Sequence, residues 1–262
     1  MLGATGHVGR LLRAAPVPEF SENAVWHSRT GTDADWGWDI LNEDPSDVAF
    51  DAVLHLARGG SLAQEVEVAQ RVCELARGRP VLFASSQAVY GAQDGPIAET
   101  APLRPNNLYG EAKAAAEEII SAYSNGLSLR IGNVAGADMV FKAMAAGAVV
   151  LDQFEDGTGP RRSYIGPCAF AAAVAILCDK MANGSMTSSV LNFANPGTVA
   201  MSDCLDQAGA DWEWQTAPAS ALRCLELDTS KLQAIVPLNQ ADAQILVAEA
   251  RASGWRPYND AV

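Results

Sequence analysis

The chain has 262 residues, with 18 Lys and Arg against 31 Asp and Glu, for a formal net charge of −13. Hydrophobic residues make up 49% and charged residues 19%, enough apolar material for a sizeable core, which excludes a disordered chain. The acidic balance excludes nucleic acid or an anionic membrane surface as the main partner, because phosphate-rich surfaces need a basic face. A small anionic ligand stays compatible with it, held by a local basic pocket.

The chain opens almost at once on Gly3-Ala4-Thr5-Gly6-His7-Val8-Gly9, a G-x-x-G-x-x-G loop ahead of a helical pattern over 8–14. In this spacing Gly3 permits a tight turn, Gly6 lets a pyrophosphate approach the backbone, and Gly9 lets helix and strand pack closely. The helix N-terminus adds N–H groups and a partial positive charge. Only Met1 and Leu2 precede the loop, so either the start is truncated or misassigned or the first strand is unusually short.

Further along, 24–26 is a short strand candidate and 52–56 (AVLHL) a buried one. Leu62–Ala76 has helical spacing and ends near the breaker Gly78-Arg79-Pro80. Strands at 81–84 and 127–131 flank a helix over 112–123 that closes at Asn125-Gly126. This alternation implies a parallel sheet with helices on both faces and right-handed connections. Beyond about Gly136 the segments shorten, with scattered Gly, Pro, Trp and Asp, as in a smaller α+β lobe. The charge-free run 168–178 is too short to span a bilayer and reads as a buried, Ala-rich helix. A short capped helix is expected within 225–237, and Trp212, Trp214 and Trp255 read as packing residues.

No basic leader precedes a long apolar stretch, so no secretory signal is expected. The five cysteines (73, 168, 178, 204 and 224) form no C-x-x-C, which points to reduced thiols in a cytoplasmic protein. His7, His27 and His55 have no paired ligand spacing, so no metal site is expected.

An acidic residue about 20 positions beyond such a glycine loop ordinarily holds the adenosine ribose of NAD. Here that stretch reads Val25-Trp26-His27-Ser28-Arg29-Thr30, without a carboxylate. Ser28 and Arg29 suit a 2′-phosphate, so NADP(H) is favoured over NAD(H). Asp39-Ile40 can meet the adenine amino group; the alternative for Asp39 is a simple helix cap.

Residues 81–91 read VLFASSQAVYG, and 109–113 read Tyr-Gly-Glu-Ala-Lys. On a helix Tyr109 and Lys113 are i and i+4 and share a face. A nearby ammonium favours the phenolate of a tyrosine that is otherwise a poor base at neutral pH. Tyr109 can then exchange a proton with a substrate hydroxyl or carbonyl while hydride moves to or from a nicotinamide. Ser86, at the end of the preceding strand, can hold the same substrate oxygen.

With these pieces the chain resembles the extended short-chain dehydrogenase/reductases, the NAD-dependent epimerase/dehydratase family. The matching motifs are GATGHVG at 3–9, HLA at 55–57, SSQAVYG at 85–91, YGEAK at 109–113, LRIGNVAG at 129–136 and RRSYI at 161–165. The resemblance implies an α/β fold: a Rossmann-like doubly wound parallel sheet over 1–135, and a small C-terminal α+β substrate lobe over 136–262. Residues 164–180 would return to pack on the first part. It implies a catalytic set of Ser86, Tyr109 and Lys113. Cofactor contacts would come from Gly3, Thr5, Gly6, His7, Val8, Gly9, Ser28, Arg29, Asp39, Ile40, Leu56, Ala57 and Arg58, together with Tyr109 and Lys113. Substrate contacts would come from Ser86, Gln87, Asn133 and Arg162, the last two beside the diphosphate of a nucleotide sugar.

Several positions depart from the family pattern. Gln87 and Ala88 stand where dehydratases carry Asp-Glu, so dehydration is not expected, and no cysteine stands in that region as in the fucose-synthesising members. Glu65 falls on a family asparagine, Ser163 on the usual acid and Gly166 on the usual histidine of the 161–165 segment. The resulting expectation is an enzyme acting on a secondary alcohol or ketone, a nucleotide sugar foremost, as a 4-epimerase or a 4-keto reductase. Two alternatives stay open: an NADPH-dependent reductase of a small aldehyde or ketone, and a non-catalytic NADP(H)-sensing protein. The resemblance also implies pairing of two copies through Leu62–Ala76 and the helix over 112–123, although an apolar stripe there equally suits internal packing in a monomer.

Overall fold

The computed structural model describes residues 1–31, 33–43, 49–93 and 95–260. Its main sheet is parallel throughout. The strands Val190–Phe193, Gly126–Ile131, Val81–Ser86 and Val53–His55 lie side by side in that order. Leu2 continues the sheet by bridging His55 on one side and His27 on the other, where His27–Ser28 pairs with Trp36–Gly37. The first strand is thus a single bridge, anchored by Leu2 N–H to Leu54 C=O at 2.9 Å and by Leu56 N–H to Leu2 C=O at 2.9 Å. The strand expected at 24–26 forms two to three residues later, at His27–Ser28. Its register is set by Leu2, through His27 N–H to Met1 C=O, and Trp26 is left as a buried core residue before it.

Side chains along each strand alternate between two apolar layers. Leu54, Leu82, Leu127 and Leu129 face a cluster with Leu12, Phe170 and Val174 from the helices His7–Ala14 and Pro167–Ala182. Val53, Val81 and Phe83 face a second cluster with Val68, Val72, Ala116 and Ile120 from Leu62–Ala76 and Leu108–Ala122. The doubly wound arrangement follows from this strand alternation. The run 168–178 lies inside the long helix Pro167–Ala182, which packs on His7–Ala14. No helix among the described residues is long and apolar enough to cross a membrane.

Local signals explain where the helices start and stop. Ser61 caps Leu62–Ala76 by accepting from Gln64 N–H at 3.3 Å, and the helix ends at Arg77, in the left-handed region at φ 50°. Asn107 accepts from Gly110 N–H at 2.9 Å, so the next helix begins at Leu108, a turn earlier than the apolar pattern indicates. That extra turn carries Tyr109. In the last third, the expected capped helix is Ser230–Gln233, preceded by the strand Cys224–Leu227.

A smaller sheet covers the carboxyl ends of the main strands. Arg161–Arg162 pairs with Cys224–Leu227 in parallel and with Val199–Ala200 antiparallel, and Pro96–Ile97 extends the other edge. The strands Val149–Gln153 and Trp212–Thr216 form a separate parallel pair. Trp212 and Trp214 meet edge to face at 4.6 Å, and Trp255 packs on Phe141 at 4.9 Å. One apolar cluster includes Leu11 and Leu12 from the first helix together with Phe141, Leu246 and Trp255. The first and last parts of the chain therefore share a core.

Candidate active site

The strand Val81–Ser86 ends at the site, and the 3-10 turn Gln87–Tyr90 follows it. Ser86 Oγ accepts from Ala88 N–H at 3.2 Å, which fixes its hydroxyl at the turn, and its side chain shares a cleft with the Tyr109 phenol. Tyr109 and Lys113 project from one face of Leu108–Ala122. Ser86, Gln87, Tyr109, Lys113, Asn133 and Arg162 line a single cleft of about 470 Å³. All the residues expected to touch substrate are thus brought together.

A second cavity of about 360 Å³ lies beside it. Gly3, Thr5, Gly6, Ser28, Arg29 and Asp39 line its wall, with Ile40, Leu56, Ala57 and Arg58. Leu56 and Arg58 border both cavities, and Val8 borders the first. His7 and Gly9 border neither. His7 is exposed in the first turn of its helix. Gly9 is buried, and a Cβ there would lie 2.2 Å from Gly3 O, so its role is close packing of helix on loop. Gly3 has φ +97°, and a Cβ on it would meet the Ala57 backbone at 2.8 Å. Gly6 caps His7–Ala14 without any side-chain cap. Asp39 caps a turn and not a helix. It borders the cavity, while its carboxylate accepts from Leu41 N–H at 3.1 Å and Asn42 Nδ2 at 2.9 Å.

Behind Tyr109 lies a buried charged pair. Lys113 Nζ is 2.7 Å from Glu65 Oε1, and both side chains are almost fully buried. Glu65 Oε2 accepts from Gly59 N–H at 2.6 Å. The ammonium also sits 4.6 Å from the Phe83 ring centroid. Burial lowers the Lys113 pKa, and the Glu65 carboxylate opposes that shift. His55 lies in the same layer with both ring nitrogens unpartnered, and burial, with Lys113 nearby, pushes its pKa down to about 3. Burial also raises the Tyr109 pKa, while the Ser86 hydroxyl and the charge of Arg58 act to lower it.

The far wall of the cleft is a chain of side-chain contacts. Gln87 Nε2 donates to Asn133 Oδ1 at 2.7 Å, and Asn133 Nδ2 donates to Asp138 Oδ2 at 2.9 Å. Tyr164 Oη donates to the same Asp138 oxygen at 2.8 Å, and Asp138 Oδ1 caps Met139–Ala146. Burial raises the Asp138 pKa to about 6. Arg162 donates to the carbonyls of Arg161 at 2.7 Å and Leu222 at 2.8 Å, which holds it at the cleft without a carboxylate partner among the described residues. Sequence reasoning did not find Asp138, Tyr164, Met139 or Met201 at this wall. The one local signal was the N-cap position of Asp138 ahead of an apolar run.

A parallel doubly wound sheet, a glycine loop at its first helix and a Ser-Tyr-Lys cleft at the carboxyl ends of its strands define a dinucleotide-fold protein of the short-chain type. The NAD-dependent epimerase/dehydratase family model matches residues 1–154, and the chain belongs to that family. A UDP-glucose 4-epimerase of Streptomyces lividans is 31% identical over 170 residues, 52% of this chain and 52% of that protein. The chain therefore spans about half the length of the curated relative it matches. Among solved structures, the UDP-glucose 4-epimerase from Brucella ovis in complex with NAD superposes with TM-score 0.74 at 20% identity, covering 98% of each chain. An NAD-dependent NDP-hexosamine 5,6-dehydratase involved in tunicamycin biosynthesis superposes with TM-score 0.73 at 18% identity, over 99% of this chain and 98% of that one. At these identities the likeness speaks for the fold.

Proposed function

We propose that this protein is a nicotinamide-dinucleotide-dependent enzyme acting on a nucleotide sugar, as a 4-epimerase. The observation that carries this reading is the single cleft shared by Ser86, Tyr109, Lys113, Asn133 and Arg162, opening beside the cavity of the glycine loop. Residues 1–135 would hold the dinucleotide and 136–262 the sugar end. The 3–9 loop fits a pyrophosphate: Gly6 leaves the helix start without a side-chain cap, and a Cβ there would be only in ordinary contact with Gly3 O at 3.4 Å.

A bound nicotinamide supplies hydride acceptance and return. Tyr109 takes the proton from the sugar hydroxyl as the alcohol is oxidised, and gives it back when the keto group is reduced on its other face. Ser86 holds that oxygen. Arg162 provides the charge for a diphosphate, and Asn133, fixed at both ends of its amide by Gln87 and Asp138, presents a rigid wall.

A second reading, a 4-keto reductase using NADPH, is favoured by Ser28 and Arg29 in the dinucleotide cavity. The test is to purify the protein, denature it and identify any released dinucleotide by mass, then assay UDP-sugars with the wild type and Tyr109→Phe. Tightly retained NAD with epimerisation lost in Tyr109→Phe supports the first reading. An empty protein that prefers NADPH and reduces keto sugars supports the second. Turnover unchanged in Tyr109→Phe overturns both.

A further inference from the structure

The buried pair Lys113–Glu65 changes which cation serves Tyr109. Lys113, one turn beyond Tyr109, spends its charge on a carboxylate 2.7 Å away. The other oxygen of that carboxylate holds Gly59 N–H at 2.6 Å, so Glu65 also clamps the loop after the strand Val53–His55. A Cβ on Gly59 would lie 2.4 Å from Glu65 N, which shows how closely this loop lies on the helix. Arg58 leaves the clamped loop and places its guanidinium carbon 4.8 Å from the Tyr109 ring centroid. Among the described residues Arg58 makes no hydrogen bond or ion pair, and it borders both cavities.

We propose that Arg58 is a positioning residue for Tyr109, supplying the uncancelled positive charge that favours its anion, while Glu65 holds the Arg58 loop in place and neutralises Lys113. Its catalytic use rests on the reading above, in which Tyr109 is the proton-transfer group. In the reductive direction the Tyr109 O–H bond breaks, the proton passes to the substrate oxygen as hydride reaches its carbon, and the tyrosinate left behind faces Arg58. The groups facing Tyr109 are Ser86 from the strand end, Arg58 from the loop, Glu65 from Leu62–Ala76 and Lys113 from its own helix. Arg58 and Glu117 act on Lys113 in opposite senses, and Lys113 in turn acts on His55 behind it. Arg58 acts on Tyr109 in the direction of ionisation and Glu65 against it.

The test is a titration of tyrosinate absorbance in the full chain, with the Tyr109→Phe protein subtracted so that only Tyr109 is read. Arg58→Met is expected to move the Tyr109 midpoint upward by about one pH unit, tenfold in the ionisation constant, with Arg58→Lys recovering most of it. Glu65→Gln is expected to move it downward. Arg58 is exposed, so its variants fold, and circular dichroism checks this. An unmoved midpoint in Arg58→Met, with a large upward shift in Lys113→Met, overturns the proposal and returns the role to Lys113. The titration needs no substrate. A shifted midpoint in a protein that turns over no sugar therefore leaves Arg58's role standing and removes the enzymatic reading instead.

Discussion

Lys113 Nζ and Glu65 Oε1 lie 2.7 Å apart with both side chains buried, joining the two helices that cover one face of the sheet. Removing one partner strands the other charge in an apolar layer, a loss of about 3–5 kcal/mol, whereas replacing both with apolar groups is close to neutral. Glu65→Ala is expected to lower stability by that amount in urea denaturation. The double variant Lys113→Met with Glu65→Leu should recover most of it, though not activity. A double variant no more stable than Glu65→Ala would show that the pair does not act as a unit.

Gly9 packs the first helix against the loop that precedes it. A Cβ at this position would stand 2.2 Å from Gly3 O and 2.9 Å from Ala4 O, both backbone atoms that cannot swing aside. Gly9→Ala is expected to cost about 1–3 kcal/mol and to weaken dinucleotide binding by displacing Gly3 and Gly6. Calorimetric titration with NAD and NADPH reads the second effect.

Arg162 is held at the cleft by carbonyls and has no carboxylate partner among the described residues. Arg162→Ala is expected to raise the KM for a nucleotide sugar by about 10- to 100-fold, the value of a charge-assisted contact of ~1.5–3 kcal/mol, with dinucleotide affinity unchanged. An unchanged KM would separate Arg162 from the substrate and favour a ligand without a diphosphate.

His55 predicts how stability depends on acid. Its folded pKa, near 3, lies below the ordinary 6.5, because burial excludes the charged ring. Between those values the unfolded chain binds a proton that the folded protein refuses. Stability from this group is therefore full above about pH 6.5 and falls as pH drops toward 3, with a limiting slope of about 1.4 kcal/mol per pH unit. Asp138 works in the opposite sense between 3.8 and about 6, since its raised folded pKa makes the folded protein the better proton binder there. Chemical denaturation at pH 7 and pH 5 should show His55→Phe losing less stability on acidification than the wild type. Equal losses would assign the acid sensitivity elsewhere.

What could be read from the residues alone were features whose geometry is local. The spacing of Gly3, Gly6 and Gly9 places three glycines around one turn, and a helix puts Tyr109 and Lys113 on one face whatever surrounds them. The alternation of short apolar runs with helical patterns was enough for a parallel sheet, and Leu62–Ala76 begins and ends where its pattern does. The strand expected at 24–26 was misplaced because a two-residue strand takes its register from its neighbour Leu2 and not from its own pattern.

Other features depended on contacts between residues far apart in the chain, which only the order of strands and the packing of helices could settle. Glu65 meets Lys113 across 48 positions because Leu62–Ala76 and Leu108–Ala122 lie side by side on the same face. Arg58 reaches Tyr109 because the loop after Val53–His55 opens at the same edge as Ser86. Arg162 reaches the cleft because its strand pairs with Cys224–Leu227, more than 60 residues later, and Gln87, the stretch with Asn133 and Asp138, and Tyr164 join into one wall from three segments. Backbone periodicity is set by neighbours a few residues away and is written in the sequence. The pairing of charges and amides across elements is decided by burial, which exists only once the chain has folded.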